Sequence, residues 1–193
     1  MPRIGILLSG SGTTYANLAE SCANGRVPGE IAVVIGSKAG LGGLQKAESW
    51  GHPTVVASRA EEVTAALLSH SAEWVVMCGW LKFWDPPEPF RGKTLNIHPS
   101  LLPAFGGQGM YGRHVHQAVI DHGCRISGCT AHLVAGGYDT GTILAQAAVP
   151  VLAVDTAETL AARVQAAERL LYPRVLASLM ADRSPDPAAL WVA

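Results

Sequence analysis

Apolar residues in the first half of the chain occur in short runs that alternate with segments of helical periodicity. Four runs predict buried strands, and the three periodic segments between them predict helices. Because strands that alternate with helices form β-α-β units, this half is predicted to build a parallel sheet. The predicted strands are Arg3–Leu8, Ile31–Ile35, Pro53–Ala57 and Trp74–Cys78, and the predicted helices are Tyr15–Ala23, Leu44–Trp50 and Glu61–His70.

The second half of the chain alternates less regularly and contains a glycine-rich segment between its first strand and its first helix. Its long final helix is predicted from apolar residues that recur at helical spacing. The predicted strands are Thr94–His98, Thr130–Val134 and Ile143–Val149, the helices are His114–Asp121 and Thr156–Met180, and the glycine-rich segment is Phe105–Gly112.

Together these elements predict an α/β fold with an open, mostly parallel, twisted sheet and helices on both faces, Rossmann-like in its N-terminal half. No linker divides the chain, so residues 1–193 are predicted to form a single domain. The proline-containing tail after Asp182 is expected to be peripheral. Trp50, Trp74 and Trp191 are predicted to be core or surface residues.

Composition narrows the classes of protein that fit. Of 193 residues, 49% are hydrophobic and 15% are charged, which is typical of a compact globular protein. The formal net charge of -1 and the absence of a lysine or arginine run argue against nucleic-acid binding. The first apolar run is too short to cross a membrane, and no signal-peptide pattern follows it. Four cysteines without C-x-x-C spacing agree with reduced thiols, so we expect a cytoplasmic protein without membrane contact.

A glycine-rich loop, Ser9–Thr14, directly follows the first strand and opens the first helix. Glycines let a backbone approach an anion, and free N–H groups at a helix start favour negative charge. The third glycine of the dinucleotide fingerprint is replaced by Tyr15, and Ile35–Lys38 lacks the acidic residue expected after the second strand. The loop therefore favours a phosphomonoester over a dinucleotide, although an ordinary tight turn explains its glycines about equally well.

The most informative stretch is Leu95–Pro103. Asn96 and His98 are two residues apart on a predicted strand, so their side chains point the same way. Pro99 ends the strand and places the pair at its carboxyl end, where open parallel sheets bind ligands. An amide beside an imidazole suits acyl transfer, because the amide can stabilise an oxyanion and the imidazole can move protons. A structural hydrogen-bonded pair is the alternative.

A carboxylate, Asp139, lies in the turn that precedes the strand at Ile143. Near an imidazole, this carboxylate would favour the charged ring and could order a water for proton transfer. Considered alone, Asp139 is more simply explained as a turn residue that bonds its own backbone.

Three further histidines raise the possibility of a metal site beside His98. His114 and His116 begin a helix, where residues two apart point in different directions, and no H-x-x-x-H or Cys–His spacing includes them or His132. We therefore predict no metal and expect His114 and His116 to pack the glycine-rich loop over the site.

The sequence resembles the phosphoribosylglycinamide formyltransferase family, also called glycinamide ribonucleotide transformylases, over residues 4 to about 182. Its most specific match is Asn96–Pro103. The resemblance implies that Asn96, His98 and Asp139 are the catalytic residues. They would catalyse formyl transfer from 10-formyltetrahydrofolate, a cosubstrate, to glycinamide ribonucleotide. The amine would attack the formyl carbon directly, without a metal or a covalent intermediate.

The resemblance also implies roles for these groups. Asn96 and His98 would stabilise the oxyanion of a tetrahedral intermediate, while Asp139 would keep His98 charged and hold a water that relays the proton. Within the single domain, the N-terminal half, about residues 1–95, would bind the phosphate. The C-terminal half, about residues 96–182, would bind the folate and hold the catalytic groups. The implied contacts are Gly12, Thr13 and Thr14 for the phosphate, Gln165 and Glu168 for the ribose and glycinamide, and Leu81, Lys82, Phe83, Trp84, Tyr138 and Gly141 for the folate.

Some positions depart from the family pattern. Thr14 stands where asparagine is usual, and Trp80, Leu81 and Lys82 replace an aromatic-Met-Arg sequence. Lysine keeps a positive charge for the folate glutamate tail but loses the bidentate geometry of arginine. Of the tryptophans, only Trp80 and Trp84 are placed to meet a ligand.

Related activities are the alternatives. A methionyl-tRNA formyltransferase would need a further C-terminal domain and more positive charge, and a formyltetrahydrofolate hydrolase usually has an extra N-terminal domain. A non-catalytic folate- or nucleotide-binding relative is disfavoured by the three intact catalytic residues. The implied partners are small-molecule substrates, and the protein is expected to be a monomer or a homodimer.

Overall fold

A computed structural model of the chain describes residues 1–183. Seven strands form one sheet in the order β3-β2-β1-β4-β5-β6-β7. The strands are β1 (Arg3–Leu8), β2 (Glu30–Gly36), β3 (Thr54–Val56), β4 (Trp74–Met77), β5 (Thr94–His98), β6 (Ile126–Leu133) and β7 (Ile143–Pro150). The helices are α1 (Thr13–Ala23), α2 (Gly42–Ser49), α3 (Ala60–Ser69), α4 (Arg113–Asp121) and α5 (Ala157–Met180), with a 3₁₀ turn at Glu88–Phe90.

The predicted fold class is confirmed. Strands β1 to β5 pair in parallel, while β5, β6 and β7 pair antiparallel. Apolar residues of α1, α2, α4 and α5 pack on one face of the sheet, and those of α3 pack on the other. Trp191 and all of the predicted peripheral tail except Arg183 lie outside the described residues.

The predicted strands and helices are all present, but β6 is longer than predicted because it begins at Ile126 rather than Thr130. Gly128 lies inside this extension, and a Cβ there would be 2.0 Å from the carbonyl oxygen of Ala147 on β7. Glycine is therefore required for the close approach of the two strands, yet it weakens the strand signal in the sequence. The 3₁₀ turn at Glu88–Phe90 was not predicted.

Strand order reverses between β1 and β4. Strands β2 and β3 lie on one side of β1, and strands β4 and β5 lie on its other side. Open α/β sheets bind ligands at the carboxyl edge beside such a point. The loops after β1 and β4 meet there. The Ser9 N–H donates to the Gly79 carbonyl at 3.1 Å, and the Leu81 N–H donates to Ser9 Oγ at 3.1 Å.

Helix α5 is joined to the middle of the sheet by Tyr172. Its ring is fully buried, and its hydroxyl donates to the carbonyls of Met77 (2.8 Å) and Leu95 (3.0 Å). Those carbonyls belong to β4 and β5, whose pairing ends at Val76 and Leu95. The hydroxyl therefore bridges the two strands where they separate. No helix within residues 1–183 is long and apolar enough to span a membrane.

Replacement of Tyr172 by Phe should lower the free energy of unfolding by about 1–3 kcal/mol, because the ring still fills its site while two buried carbonyls lose a donor. Urea denaturation followed by circular dichroism measures the change. Tyr111→Phe is the matched control, since the Tyr111 ring is exposed. Equal unfolding midpoints for Tyr172→Phe and the unchanged protein would contradict this bridging role.

Candidate active site

Asn96 and His98 lie at the carboxyl end of β5, and His98 is the last residue of the strand. Both side chains line the same cavity, as the two-residue spacing predicts. His98 is buried, whereas Asn96 is partly exposed. The strand end therefore holds an amide and an imidazole side by side at the wall of a cavity.

The turn that contains Asp139 brings its carboxylate to His98 from 41 residues further along the chain. His98 Nδ1 lies 3.2 Å from Asp139 Oδ1, and the two side chains are only 4% and 13% exposed. His98 Nε2 lies 2.8 Å from the carbonyl oxygen of Phe105, so both ring nitrogens face acceptors. A doubly protonated imidazolium satisfies both of these acceptors.

The second oxygen of Asp139 is also bonded, since Oδ2 accepts a hydrogen bond from the Gly107 N–H at 2.9 Å. Burial alone would raise the pKa of Asp139, but the hydrogen bond and charge of His98 and the Gly107 bond bring this pKa below its usual value. The carboxylate is therefore ionised at neutral pH.

The position of Asp139 depends on neighbouring glycines. Its own φ is 53°, and a Cβ on Gly106 would lie 2.5 Å from Leu102 Cδ2 and 3.4 Å from Asp139 Cβ. A Cβ on Gly141 would lie 1.9 Å from the Leu133 carbonyl oxygen. Glycine therefore lets the loop pack against Leu102 and the turn pack against Leu133, where a larger residue would collide.

Asn96 has a partner that the sequence analysis missed. Asn96 Nδ2 lies 3.1 Å from His132 Nε2, and His132 Nδ1 lies 3.1 Å from the Leu133 carbonyl oxygen. Burial lowers the pKa of His132, so a neutral ring can donate from Nδ1 and accept from the amide at Nε2. His132 thereby fixes which way the Asn96 amide points. A polar residue inside the predicted strand Thr130–Val134 was the available signal.

Three adjoining cavities lie at this edge of the sheet. The central cavity, of about 500 Å³, is lined by Asn96, His98 and Asp139. The α1-side cavity, of about 320 Å³, lies at the start of α1, and the Phe83-side cavity, of about 50 Å³, lies beside the loop after β4.

The start of α1 presents free backbone N–H groups to the α1-side cavity, which Gly12, Thr13 and Thr14 line. Gly12 has φ 74°, and a Cβ on it would lie 2.4 Å from Gly43 Cα. The first turn contains no acidic residue and no side chain caps it. Arg169 also lines this cavity, so it has the features of an anion site.

Gln165 and Glu168 on α5 line both the central and the α1-side cavity. Burial raises the pKa of Glu168 to about 7, against the opposing charges of His98 and Arg169. A carboxyl group at this junction therefore exchanges protons near neutral pH.

The residues expected to contact folate are divided among the cavities. Leu81 lines the central and α1-side cavities, whereas Lys82, Phe83 and Trp84 line the Phe83-side cavity. Tyr138 lines the central and Phe83-side cavities. Trp84 is buried, and its Nε1 donates a hydrogen bond to Thr64 Oγ1 at 3.1 Å. Gly141 lines none of these three cavities.

Comparison with known proteins shows similarity over nearly the whole chain. Residues 2–176 match the formyl transferase family model. Chloroplastic phosphoribosylglycinamide formyltransferases from Arabidopsis thaliana and Vigna unguiculata are 38% and 40% identical, each over 94% of this chain. The chain spans 66% and 62% of the length of these two relatives.

Solved structures are similar as well. A glycinamide ribonucleotide transformylase from Symbiobacterium toebii is 36% identical, with a TM-score of 0.87 over 95% of this chain and 89% of that one. A phosphoribosylglycinamide formyltransferase from Brucella melitensis is 41% identical, with a TM-score of 0.84 over 93% and 96% of the two chains.

Removal of the His98 imidazole should raise the pKa of Asp139, because burial continues to act while the compensating hydrogen bond and charge are lost. The measurement is a carbon-13 NMR titration of labelled aspartate in the unchanged protein and in His98→Asn. His114→Asn, which alters an exposed histidine, is the control. An Asp139 midpoint that does not move in His98→Asn would contradict the electrostatic pairing.

Proposed function

The chain belongs to the formyl transferase family, and we propose that it transfers the formyl group of 10-formyltetrahydrofolate to the amine of glycinamide ribonucleotide. The observation that carries this proposal is the arrangement of Asn96, His98 and Asp139 around one cavity. The names of the similar plant and bacterial proteins support the choice of acceptor. The reaction would be a step of de novo purine biosynthesis.

Asn96 acts on the charge that develops when the amine attacks the formyl carbon. One amide hydrogen is directed to His132, which leaves the second hydrogen for the formyl oxygen. A preorganised donor of this kind favours the oxyanion over the neutral carbonyl. His98 adds a positive charge in the same buried region, and its ion pair with Asp139 maintains that charge.

Asp139 also relays a proton. Each of its oxygens has one protein partner, His98 for Oδ1 and Gly107 for Oδ2, so lone pairs remain for a water molecule. That water would take a proton from the attacking nitrogen and deliver it to the folate nitrogen that leaves. Neither a metal nor a covalent intermediate is part of the proposal.

The acceptor would lie with its phosphate at the start of α1 and its amine in the central cavity. Backbone N–H groups and the hydroxyls of Thr13 and Thr14 suit the phosphate. Gln165 and Glu168, at the junction of the two cavities, suit the ribose and the glycinamide group.

Folate would lie between the segment Leu81–Trp84 and the turn Tyr138–Gly141. Exposed apolar side chains suit the faces of a pteridine ring, and Lys82 suits the anionic glutamate tail. The Phe83-side cavity is smaller than typical ligand pockets. The rings of Phe83 and Tyr138 are in edge-to-face contact, with their centroids 5.5 Å apart. Binding would therefore open this contact.

The cellular location and the oligomeric state of the protein are also part of the proposed function. We propose that the protein acts in the cytoplasm, although the plant relatives are chloroplastic by name. We further propose that it works as a monomer or homodimer with small molecules as its only substrates.

Formyl transfer assayed with 10-formyltetrahydrofolate and glycinamide ribonucleotide tests the function. We expect turnover in the unchanged protein and a fall of about a hundredfold or more in Asp139→Asn, with both substrates still bound in calorimetry. The amide would not hold His98 charged or orient the water. Because the two residues act together, Asp139→Asn and His98→Ala should not be additive. Near-normal turnover in Asp139→Asn would rule out the proposed relay.

The phosphate assignment predicts a selective defect. Thr14→Val preserves the shape of the side chain but removes a hydroxyl donor, so KM for glycinamide ribonucleotide should rise about tenfold or more while KM for folate changes little. Thr54→Val, on β3 and outside all three cavities, is the control. Thr14→Val is cleaner than a Gly12 substitution, which would collide with Gly43. An equal rise in both KM values would defeat the assignment.

A further inference from the structure

His116 is a buried histidine in the central cavity that the mechanism above does not use. It lies in the first half of α4, is 3% exposed and lines the cavity together with His98. Its Nδ1 has no hydrogen-bond partner among the described residues. A buried polar atom without a partner is destabilising, so the presence of this histidine calls for an explanation beyond packing.

The distribution of residues among the cavities indicates which part of a substrate would meet His116. Glu168 and Gln165 line both the central and the α1-side cavity, where the phosphate and ribose are proposed to lie. His116 lines the central cavity but neither of the other two. A bound acceptor would therefore place its reacting end, rather than its sugar, against the His116 imidazole.

The surroundings of His116 favour its neutral form. Burial lowers its pKa, and the charge of His98 acts in the same direction. A neutral imidazole has one nitrogen lone pair that can accept a proton. The titratable groups that share the central cavity with it are His98 on β5, Asp139 in its turn, Tyr111 in the glycine-rich loop and Glu168 on α5. Arg113, on the same helix, is paired with Glu158 of α5.

The proposed reaction needs a proton acceptor that has not yet been assigned. An aliphatic α-amine has a pKa of about 7.7–8.0, so the acceptor is mostly an ammonium ion at neutral pH and has no lone pair for attack. In His98 both ring nitrogens already face acceptors. Asp139 is assigned to the water-mediated proton transfer to the folate nitrogen, and Glu168 lies at the junction of two cavities where the ribose and glycinamide group are proposed to bind.

We propose that His116 is the base that deprotonates the acceptor ammonium before attack. This role rests on the proposed function. One N–H bond of the ammonium breaks, its electron pair stays on the nitrogen, and the proton joins the unprotonated ring nitrogen of His116. The free amine then attacks the formyl carbon, and His116 releases its proton to solvent through the mouth of the cavity. Asp139 and its water handle only the second proton, which moves to the folate nitrogen.

The test compares His116→Gln with the unchanged protein. Without the base, the enzyme uses only the fraction of acceptor that is already a free amine, which is about one twentieth at pH 6.5. For each pH, kcat/KM for the acceptor in His116→Gln is divided by the value in the unchanged protein. This ratio should be about one twentieth at pH 6.5, rise with pH and approach one at pH 9. Taking a ratio cancels the titration of groups that both enzymes share. His114→Gln, an exposed histidine on the same helix, should give a ratio near one throughout.

Other outcomes separate the explanations. A ratio below one that does not change with pH would show that His116 is structural and would overturn the inference while leaving the proposed function intact. A pH-dependent loss in Glu168→Gln instead of His116→Gln would assign the base to Glu168. No formyl transfer by the unchanged protein would defeat the proposed function itself.

The unchanged protein gives a second measurement, which does not require that any variant fold. Its kcat/KM for the acceptor should change by no more than about threefold between about pH 6.5 and 7.5, which is the change that titration of Glu168 can cause, because His116 removes the proton. A rise of about sevenfold over that unit, which equals the rise in the free-amine fraction, would show that only free amine reacts and would overturn the inference.

Discussion

The ion pair between His98 and Asp139 is the interaction on which the rest of the site depends. Both side chains are almost completely removed from solvent, and each would be costly to bury alone as a charge. Together with the Phe105 carbonyl and the Gly107 N–H, they satisfy each other's donors and acceptors. The glycine-rich loop is therefore held by the same bonds that hold His98 and Asp139 in place, and the pair orders the wall of the cavity.

The sheet supplies the space in which this pair can act. Strands β4 and β5 stop pairing at Val76 and Leu95, and the Tyr172 hydroxyl bonds both strands where they separate. Beyond that point β5 continues to His98 with β6 as its neighbour. A gap opens between the end of β4 and the end of β5, and helix α5 reaches it with Gln165 and Glu168. The fold thus places residues from distant segments around one opening.

The sequence was sufficient to predict the parts of this arrangement that follow from local spacing. Two-residue spacing predicted that Asn96 and His98 share a face, and the strand-loop-helix pattern predicted that Gly12 opens a helix, where it lines a cavity. The binding of an anion there stays a prediction. The bond from Asn96 to His132 could not be predicted, because it depends on the register between antiparallel strands 36 residues apart. The start of β6 was missed because Gly128, required by the close approach of Ala147, carries no strand signal. Both misses arise from tertiary contacts.

Two histidines and two carboxyl groups at this edge of the sheet differ in how burial and neighbouring groups act on their pKa values. Burial lowers the pKa of both His116 and His132, yet His132 has a hydrogen bond at each ring nitrogen, whereas His116 Nδ1 has none among the described residues. The pKa values of the two carboxyl groups are also shifted in opposite directions. The pKa of Asp139 is lowered by His98, whereas burial raises that of Glu168 to about 7. Groups with pKa values pushed apart can hold a charge and exchange protons at the same pH. The proposed reaction, which would keep one imidazolium charged while it moves two protons, would make use of that separation.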